Sequence, residues 1–357
     1  MNFAEYIWLD GTAPTRQLRS KSRIVSLDKE TPGADDFPRW SFDGSATGQA
    51  EATDSDCVLK PVAVTRDPLR PEGSYLVLCE VFDPDGSAHI TNSRGTLRAI
   101  LAAGADEHEP WIGFAQGYTL MQHGRPSGFP AEAGPAPEDG CYCTVGSGKS
   151  FGRHVAEDHA RLCIDAGLLF YGLNAEVMPG QWEFQIGYRS IEGDDPSILN
   201  VCDHLWIARY LLHRASENAD ITVSFDSKPM AGDRNSAAMH TSFSTMATRS
   251  PDGIAAIHAA APLLAASHDA HVAVYGHRPE AQLAACDETC AVGEFRFGNA
   301  DRDASIRIPV GVEEAGCGYF EDRRPGANAD PYMVAARLAA TVCGIAEEKL
   351  NRGRSAA

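Results

Sequence analysis

The chain has 357 residues, 43% of them hydrophobic and 22% charged, which is enough apolar content for two packed domains and is unlike a long disordered segment. Its 49 acidic and 31 basic residues give a net charge of -18, which repels nucleic-acid phosphates and anionic membrane surfaces and argues against both as partners. The start, Met-Asn-Phe-Ala-Glu-Tyr-Ile-Trp-Leu-Asp, has neither a basic nor an apolar leader region. No run of about 18 apolar residues occurs, so a cytoplasmic location is expected.

In chain order, the first third alternates apolar and polar residues over short runs broken by Gly, Pro and Asp. Tyr6-Ile-Trp-Leu-Asp10, Cys57-Val-Leu-Lys-Pro61 and Tyr75-Leu-Val-Leu-Cys-Glu-Val-Phe82 read as strands of a small sheet. Ser93–Ala103 has helical spacing and stops at Gly104, which suits a glycine-ended helix at the join between domains. The boundary is therefore placed between residues 93 and 94. Beyond it, helical segments at Phe151–Ala166 and His204–Ala219 alternate with strand-like Leu168–Gly172 and Ile221–Phe225, the pattern of a mixed α+β domain running to residue 357. Segments 125–139 and 187–202 are too long for tight connections and read as ordered surface loops or lids.

The ten cysteines follow no repeating frame and fit reduced thiols better than a disulfide scaffold. Cys141 and Cys143, read as alternate residues of a strand, are expected in the core. Cys286 and Cys290 match no redox motif.

Six strings carry a resemblance: Tyr6-Ile-Trp-Leu-Asp-Gly11, Leu18-Arg-Ser-Lys-Ser-Arg23, Phe42-Asp-Gly-Ser-Ala-Thr-Gly-Gln49, Glu176–Gln185, Ala304-Ser-Ile-Arg-Ile-Pro309 and Gly318-Tyr-Phe-Glu-Asp-Arg-Arg-Pro325. In this order they are similar to the class II, or eukaryotic-type, glutamine synthetases from about Tyr6 to about Ala340. The resemblance implies an α+β fold with an N-terminal β-grasp domain, residues 1–93, and a larger catalytic domain, residues 94–357. It also implies a homo-oligomer of stacked pentameric rings, a decamer, with active sites shared between subunits.

That family phosphorylates the side-chain carboxylate of glutamate with ATP and lets ammonia displace the phosphate. Such chemistry calls for cations held by carboxylates, arginines on the phosphoryl oxygens and an acid to take a proton from ammonium. By resemblance, one Mg²⁺ or Mn²⁺ site corresponds to Gly117, Glu176 and Glu183, and a second to Ala115, His240 and Glu321. Two of these positions carry no ligand: where the family has Gly-x-Glu-Gln-Glu-Tyr-Thr-Leu, this chain has Gly113-Phe-Ala-Gln-Gly-Tyr-Thr-Leu120. The resemblance places Arg302 and Arg307 on phosphate, with Arg302 also catalytic, and Phe243, Ser244 and Tyr319 on the nucleotide. Arg323, with Glu176, Asn235 and His240, would meet the amino-acid substrate, while Asp43 and the flap residue Glu288 would handle the ammonium proton.

Further departures are Gln282 for a carboxylate-binding arginine, Asn235-Ser-Ala-Ala238 for Asn-Gly-Ala-Gly, Ser242 for an Asn and a flap without its basic run. A lengthened loop between Gly187 and Asp203 carries Glu192, Asp194, Asp195 and, at its end, Asp203. Because the losses cluster while most charged site positions persist, the expectation is a divergent enzyme forming or transferring a C–N bond with a nitrogen nucleophile other than ammonia, such as an amine, hydrazine or glutamyl amide, with weakened or lost metal dependence. Two alternatives stand beside it: a non-catalytic paralogue that binds ligand or regulates a synthetase, and an ordinary glutamate–ammonia ligase of reduced activity.

Overall fold

The computed structural model describes residues 1–130, 140–230, 236–277 and 293–346. Residues 1–82 build a five-stranded sheet from β1 (Asn2–Leu9), β2 (Leu18–Val25), β3 (Trp40–Asp43), β4 (Asp56–Arg66) and β5 (Tyr75–Phe82), in the order β2-β1-β5-β4-β3. The central pair, β1 and β5, is parallel and buried on both faces. Because successive strand side chains point to opposite faces, Tyr6, Trp8, Val77 and Val81 enter a small core with Phe42 and Leu59, while Ile7, Leu9, Leu76 and Leu78 enter the main core of the molecule. Double burial explains why these two strands are nearly continuous apolar runs. The outer strand β2 carries Arg19, Lys21 and Arg23, a charged edge that discourages further pairing.

α1 (Ser93–Ala102) follows, capped by the Asn92 side chain on the Gly95 N–H. Its first turn ties the small sheet to the rest of the chain. The Arg94 guanidinium donates to both Asp203 oxygens at 2.8 Å and to Glu80 at 2.8 Å, and the Tyr332 hydroxyl donates to Asp203 at 2.5 Å.

The second sheet has nine strands. Its main path is β12 (Phe297–Asn299), β13 (Ile306–Ile308), β14 (Phe320–Asp322), β11 (Met239–Ser244), β6 (Trp111–Gln122), β9 (Gln181–Ile186) and β8 (Phe170–Ala175), with β7 (Arg125–Pro126) and β10 (Thr222–Ser224) also paired to β6. One face is covered by α2 (Arg153–Asp165) and α3 (Ile198–Glu217), which bury Val155, Val201, Leu205 and Leu212 against it. β6 shows the division cleanly. Ile112, Phe114, Gln116, Tyr118 and Leu120 turn to the helices and are buried, so Gly113, Ala115 and Gly117 face the other way.

The structure corrects three local expectations. α3 starts at Ile198, before the expected His204, so the preceding loop is shorter and Asp203 is a buried helical ion-pair partner of Arg94 rather than a loop acid. What remains of the loop is closed by the Arg189 guanidinium, which donates to Asp194 at 2.6 and 3.0 Å. Cys141 and Cys143 lie in a turn, Cys143 at φ 52°, so one thiol is buried and the other exposed. α2 begins only after Gly152, at φ 81°, where a Cβ would stand 2.3 Å from Leu120 Cδ1.

Candidate active site

The exposed face of the nine-stranded sheet forms one wall of a cleft of about 490 Å³. Strand register decides what faces it. Antiparallel pairing sets Gly117 opposite Glu183 on β9 and Ala115 between Gln185 on β9 and His240 on β11. β13 and β14 add Arg307 and Glu321, which are paired residues. Glu176, just past β8, and Arg302, in the turn before β13, complete the ring of charge with Arg323.

The carboxylates are held in two ways. Glu176 accepts a hydrogen bond from the Asn174 amide at 2.7 Å, and Glu183 accepts one from the Gln185 amide at 2.5 Å. Burial pushes the Glu176 carboxyl above its ordinary value, against the Asn174 and Val177 hydrogen bonds and the charges of Arg302 and Arg323. Glu321 instead accepts from two guanidinium groups, Arg307 at 3.0 Å and Arg323 at 3.3 Å, with His240 Nδ1 at 4.0 Å. Burial opposes its charge too, but His240, Arg323 and Arg307 outweigh it and hold its carboxyl below the usual range.

Next to this cleft, a pocket of about 350 Å³ is bordered by Trp111, Tyr171, Tyr188, Ser244, Arg249 and Tyr319 among others. The Trp111 and Tyr188 rings lie 4.9 Å apart, and the Arg249 guanidinium stacks 3.9 Å over Trp111. Flat aromatic faces backed by a cation suit a planar heterocycle. Phe243 borders this pocket from a fully buried position, its ring packed on Phe320 at 5.7 Å, and Ser244 accepts from Arg249 at 2.9 Å.

Of the residues singled out in the sequence, Glu176, Glu183, His240, Arg302, Arg307, Glu321 and Arg323 line one cleft together, with Ala115 and Gly117 between them. Phe243, Ser244 and Tyr319 line the neighbouring pocket. Asp43 is on neither. It is exposed at the end of β3 and caps the following turn, where the Ser45 hydroxyl and backbone N–H hold its carboxyl low. Asn235, Glu288 and Gln282 lie outside the described residues. Tyr142, Asn174, Gln181 and Asp303 also line the cleft and were not anticipated. Asn174 and Gln181 could have been: each faces the cleft beside a carboxylate in the Glu176–Gln185 string.

The cleft does not match a preassembled divalent-cation cage. Positions 115 and 117 offer no donor atom, and among the described residues no three acidic, imidazole or thiol groups of the cleft bring ligating atoms within 4.8 Å of one another. The group that does so, Cys57, Asp83 and His89, belongs to the small sheet. There His89 Nε2–H donates to Gln49 O at 2.7 Å and Nδ1 contacts Thr91 at 2.8 Å, so both ring nitrogens are engaged.

The description "Glutamine synthetase, beta-Grasp domain" matches residues 1–84. A Streptomyces viridochromogenes protein named glutamine synthetase is 48% identical over 347 residues, 97% of this chain and 98% of that protein. A Panulirus argus protein of the same name is 46% identical over 345 residues, covering 95% and 92%. The chain belongs to the glutamine synthetase family. Its fold is also that of Plasmodium falciparum glutamine synthetase, with a TM-score of 0.73 at 15% identity over 96% of this chain and 72% of that one.

These relatives overturn the expectation of a divergent enzyme using a nucleophile other than ammonia. Eight relatives at 43–48% identity, each aligned over at least 95% of this chain, all carry the name glutamine synthetase. The departures at Gly117 and 236–238 meet where β6 and the segment leading into β11 touch, and Ala115 lies two residues before Gly117 on the same face of β6. A local change of this kind gives no ground for a different nitrogen substrate. Among the described residues, no helix is long and apolar enough to cross a membrane.

Proposed function

We propose that this chain is an ATP-dependent ligase that joins ammonia to the side-chain carboxyl of glutamate. The observation that carries the reading is the single cleft where Arg302, Arg307 and Arg323 face Glu176 and Glu183, beside an aromatic pocket able to seat an adenine. Near-full-length similarity to proteins named glutamine synthetase supports it.

In this reading the nucleotide base sits among Trp111, Tyr188 and Tyr319, and its phosphates run toward Arg302 and Arg307. Glutamate places its α-carboxylate near Arg323, with its side-chain carboxylate aimed at the terminal phosphoryl group. Transfer forms a γ-glutamyl phosphate and ADP. Ammonia then attacks the acyl carbon, phosphate leaves, and the surplus ammonium proton passes to a carboxylate. Asp43 and Glu288 are assigned that proton. Since Asp43 is absent from the cleft of its own chain, it serves a neighbouring subunit's cleft in a homo-oligomer of pentameric rings. Arg307, fixed by Glu321, presents positive charge without reorganising, which favours the charge that builds on the phosphoryl oxygens, and the same carboxylate holds Arg323 for the α-carboxylate of glutamate.

Purified protein supplied with ATP, glutamate and ammonium should release one ADP and one phosphate for each glutamine formed. Hydrolysis of ATP without glutamine, or no turnover by folded protein with each divalent cation supplied, contradicts the reading.

A further inference from the structure

Resting on the ligase reading, we propose that the nucleotide-free protein holds no tight divalent cation, and that the cation enters on the phosphates of ATP and is completed by Glu176 and Glu183. Three observations lead here. The first is the empty chemistry of the β6 face: Ala115 stands in register between Gln185 and His240, Gly117 stands opposite Glu183, and neither has a side-chain oxygen. Small divalent cations demand about six oxygen ligands, so two protein carboxylates leave the shell to be filled by water or phosphate.

The second is that the space beside Gly117 is taken by backbone. The Gly117 N–H donates to Ala238 O at 2.8 Å, and a Cβ on residue 117 would lie 3.0 Å from that oxygen and 3.1 Å from Ala238 N. A longer side chain could enter the cleft from 117 only if the segment leading into β11 moved. Gly117 and the backbone of residues 237 and 238 thus fit one another, and the loss of a ligand is built into the packing.

The third is the state of Glu321. Its oxygens already meet Arg307 at 3.0 Å and Arg323 at 3.3 Å. A cation bound there would share a carboxylate with two guanidinium charges, and the mutual repulsion disfavours it. Glu176 and Glu183 instead accept from the neutral amides of Asn174 and Gln185, and a cation that arrives with its own phosphate ligands would favour their charged form.

The test is a titration of chelator-stripped full-length protein with Mn²⁺, read by the electron paramagnetic resonance signal of free Mn²⁺, with no turnover involved. The expected result is half-saturation above about 1 mM without nucleotide, weaker than dedicated carboxylate cages of this kind. With a non-hydrolysable ATP analogue present, a saturable site per chain should appear, seen as a protein-dependent change in water-proton relaxation beyond that of the Mn²⁺–analogue complex. A nucleotide-free site tighter than about 0.1 mM, or one the analogue leaves unchanged, overturns the proposal. Ala115→Glu, at a position that lines the cleft, should tighten Mn²⁺ binding to the free protein at least about tenfold; an unchanged titration by folded variant also counts against it. Failure of this proposal would be a tight apo-protein site, whereas failure of the ligase reading would be missing glutamine, so the two are told apart.

Discussion

The two walls of the cleft hold their carboxylates by different means. On the β13–β14 side, Glu321 lies between Arg307 and Arg323, and its charge is largely answered within the protein. On the β8–β9 side, Glu176 and Glu183 lean on the amides of Asn174 and Gln185, which orient a carboxylate without neutralising it. The Asp203 cluster at the join between the sheets resembles the first wall, since Arg94 bonds both Asp203 and Glu80. A guanidinium-held carboxylate is a fastening, and an amide-held one remains available to a ligand.

If that distinction is right, the largest effect on stability comes from a fastening far from the chemistry. Arg94→Ala strands the buried Asp203 and Glu80 and should cost about 3–5 kcal/mol in a urea or thermal unfolding measurement. The turnover of the protein that stays folded should be unchanged. A loss under 1 kcal/mol, on the order of a surface pair, would break the comparison.

Arg307→Ala should lower kcat about 10²–10³-fold while glutamate KM moves little, because its charge acts on oxygens that gain charge in the transition state. Arg307→Lys should recover part of the loss. Equal falls from Ala and Lys would show that its role is packing.

The two walls should also respond to pH with opposite sign. The Glu321 carboxyl is held below its ordinary value, so it contributes stability above the usual carboxylate range that is lost as pH falls through its folded value. The Glu176 carboxyl is raised by burial, so the folded state is favoured when it is protonated, and that contribution is lost as pH rises through its folded value. At about pH 7, therefore, Glu321→Gln should destabilise by about 1–3 kcal/mol, and Glu176→Gln should be neutral or slightly stabilising. Urea midpoints of both variants at about pH 4 and about pH 7 check this; the same sign for both would remove the distinction.

A modest loss is expected at Gly117→Ala. Its Cβ at 3.0 Å from Ala238 O forces a shift of a few tenths of an ångström and should cost about 1–2 kcal/mol in thermal unfolding. A neutral change would show that the 236–238 segment yields freely.

The central strands of the first sheet were legible because their burial writes itself into apolar runs: Tyr6–Asp10 and Tyr75–Phe82 were readable as strands. The cleft was legible from short strings whose members lie on adjacent strands, so register alone brings Glu183, His240 and Glu321 to one surface. What could not be seen was anything set by contact between distant segments. The pairing of Asp203 with Arg94 joins residues 109 positions apart, and the start of α3 at Ile198 places Asp203 in a helix rather than a loop. That Gly117 is small because backbone at 238 approaches it is equally invisible in a linear reading. The expectation of another nitrogen substrate came from reading clustered losses as a redesigned site, whereas near-full-length relatives named glutamine synthetase overturn it.

The most direct test of the account follows the nitrogen itself. With ATP, glutamate and ¹⁵N-ammonium, the protein should place the label in the amide of glutamine, with one ADP released per labelled product. Folded protein that consumes ATP with an amine or hydrazine, and leaves ammonium unincorporated, would contradict it.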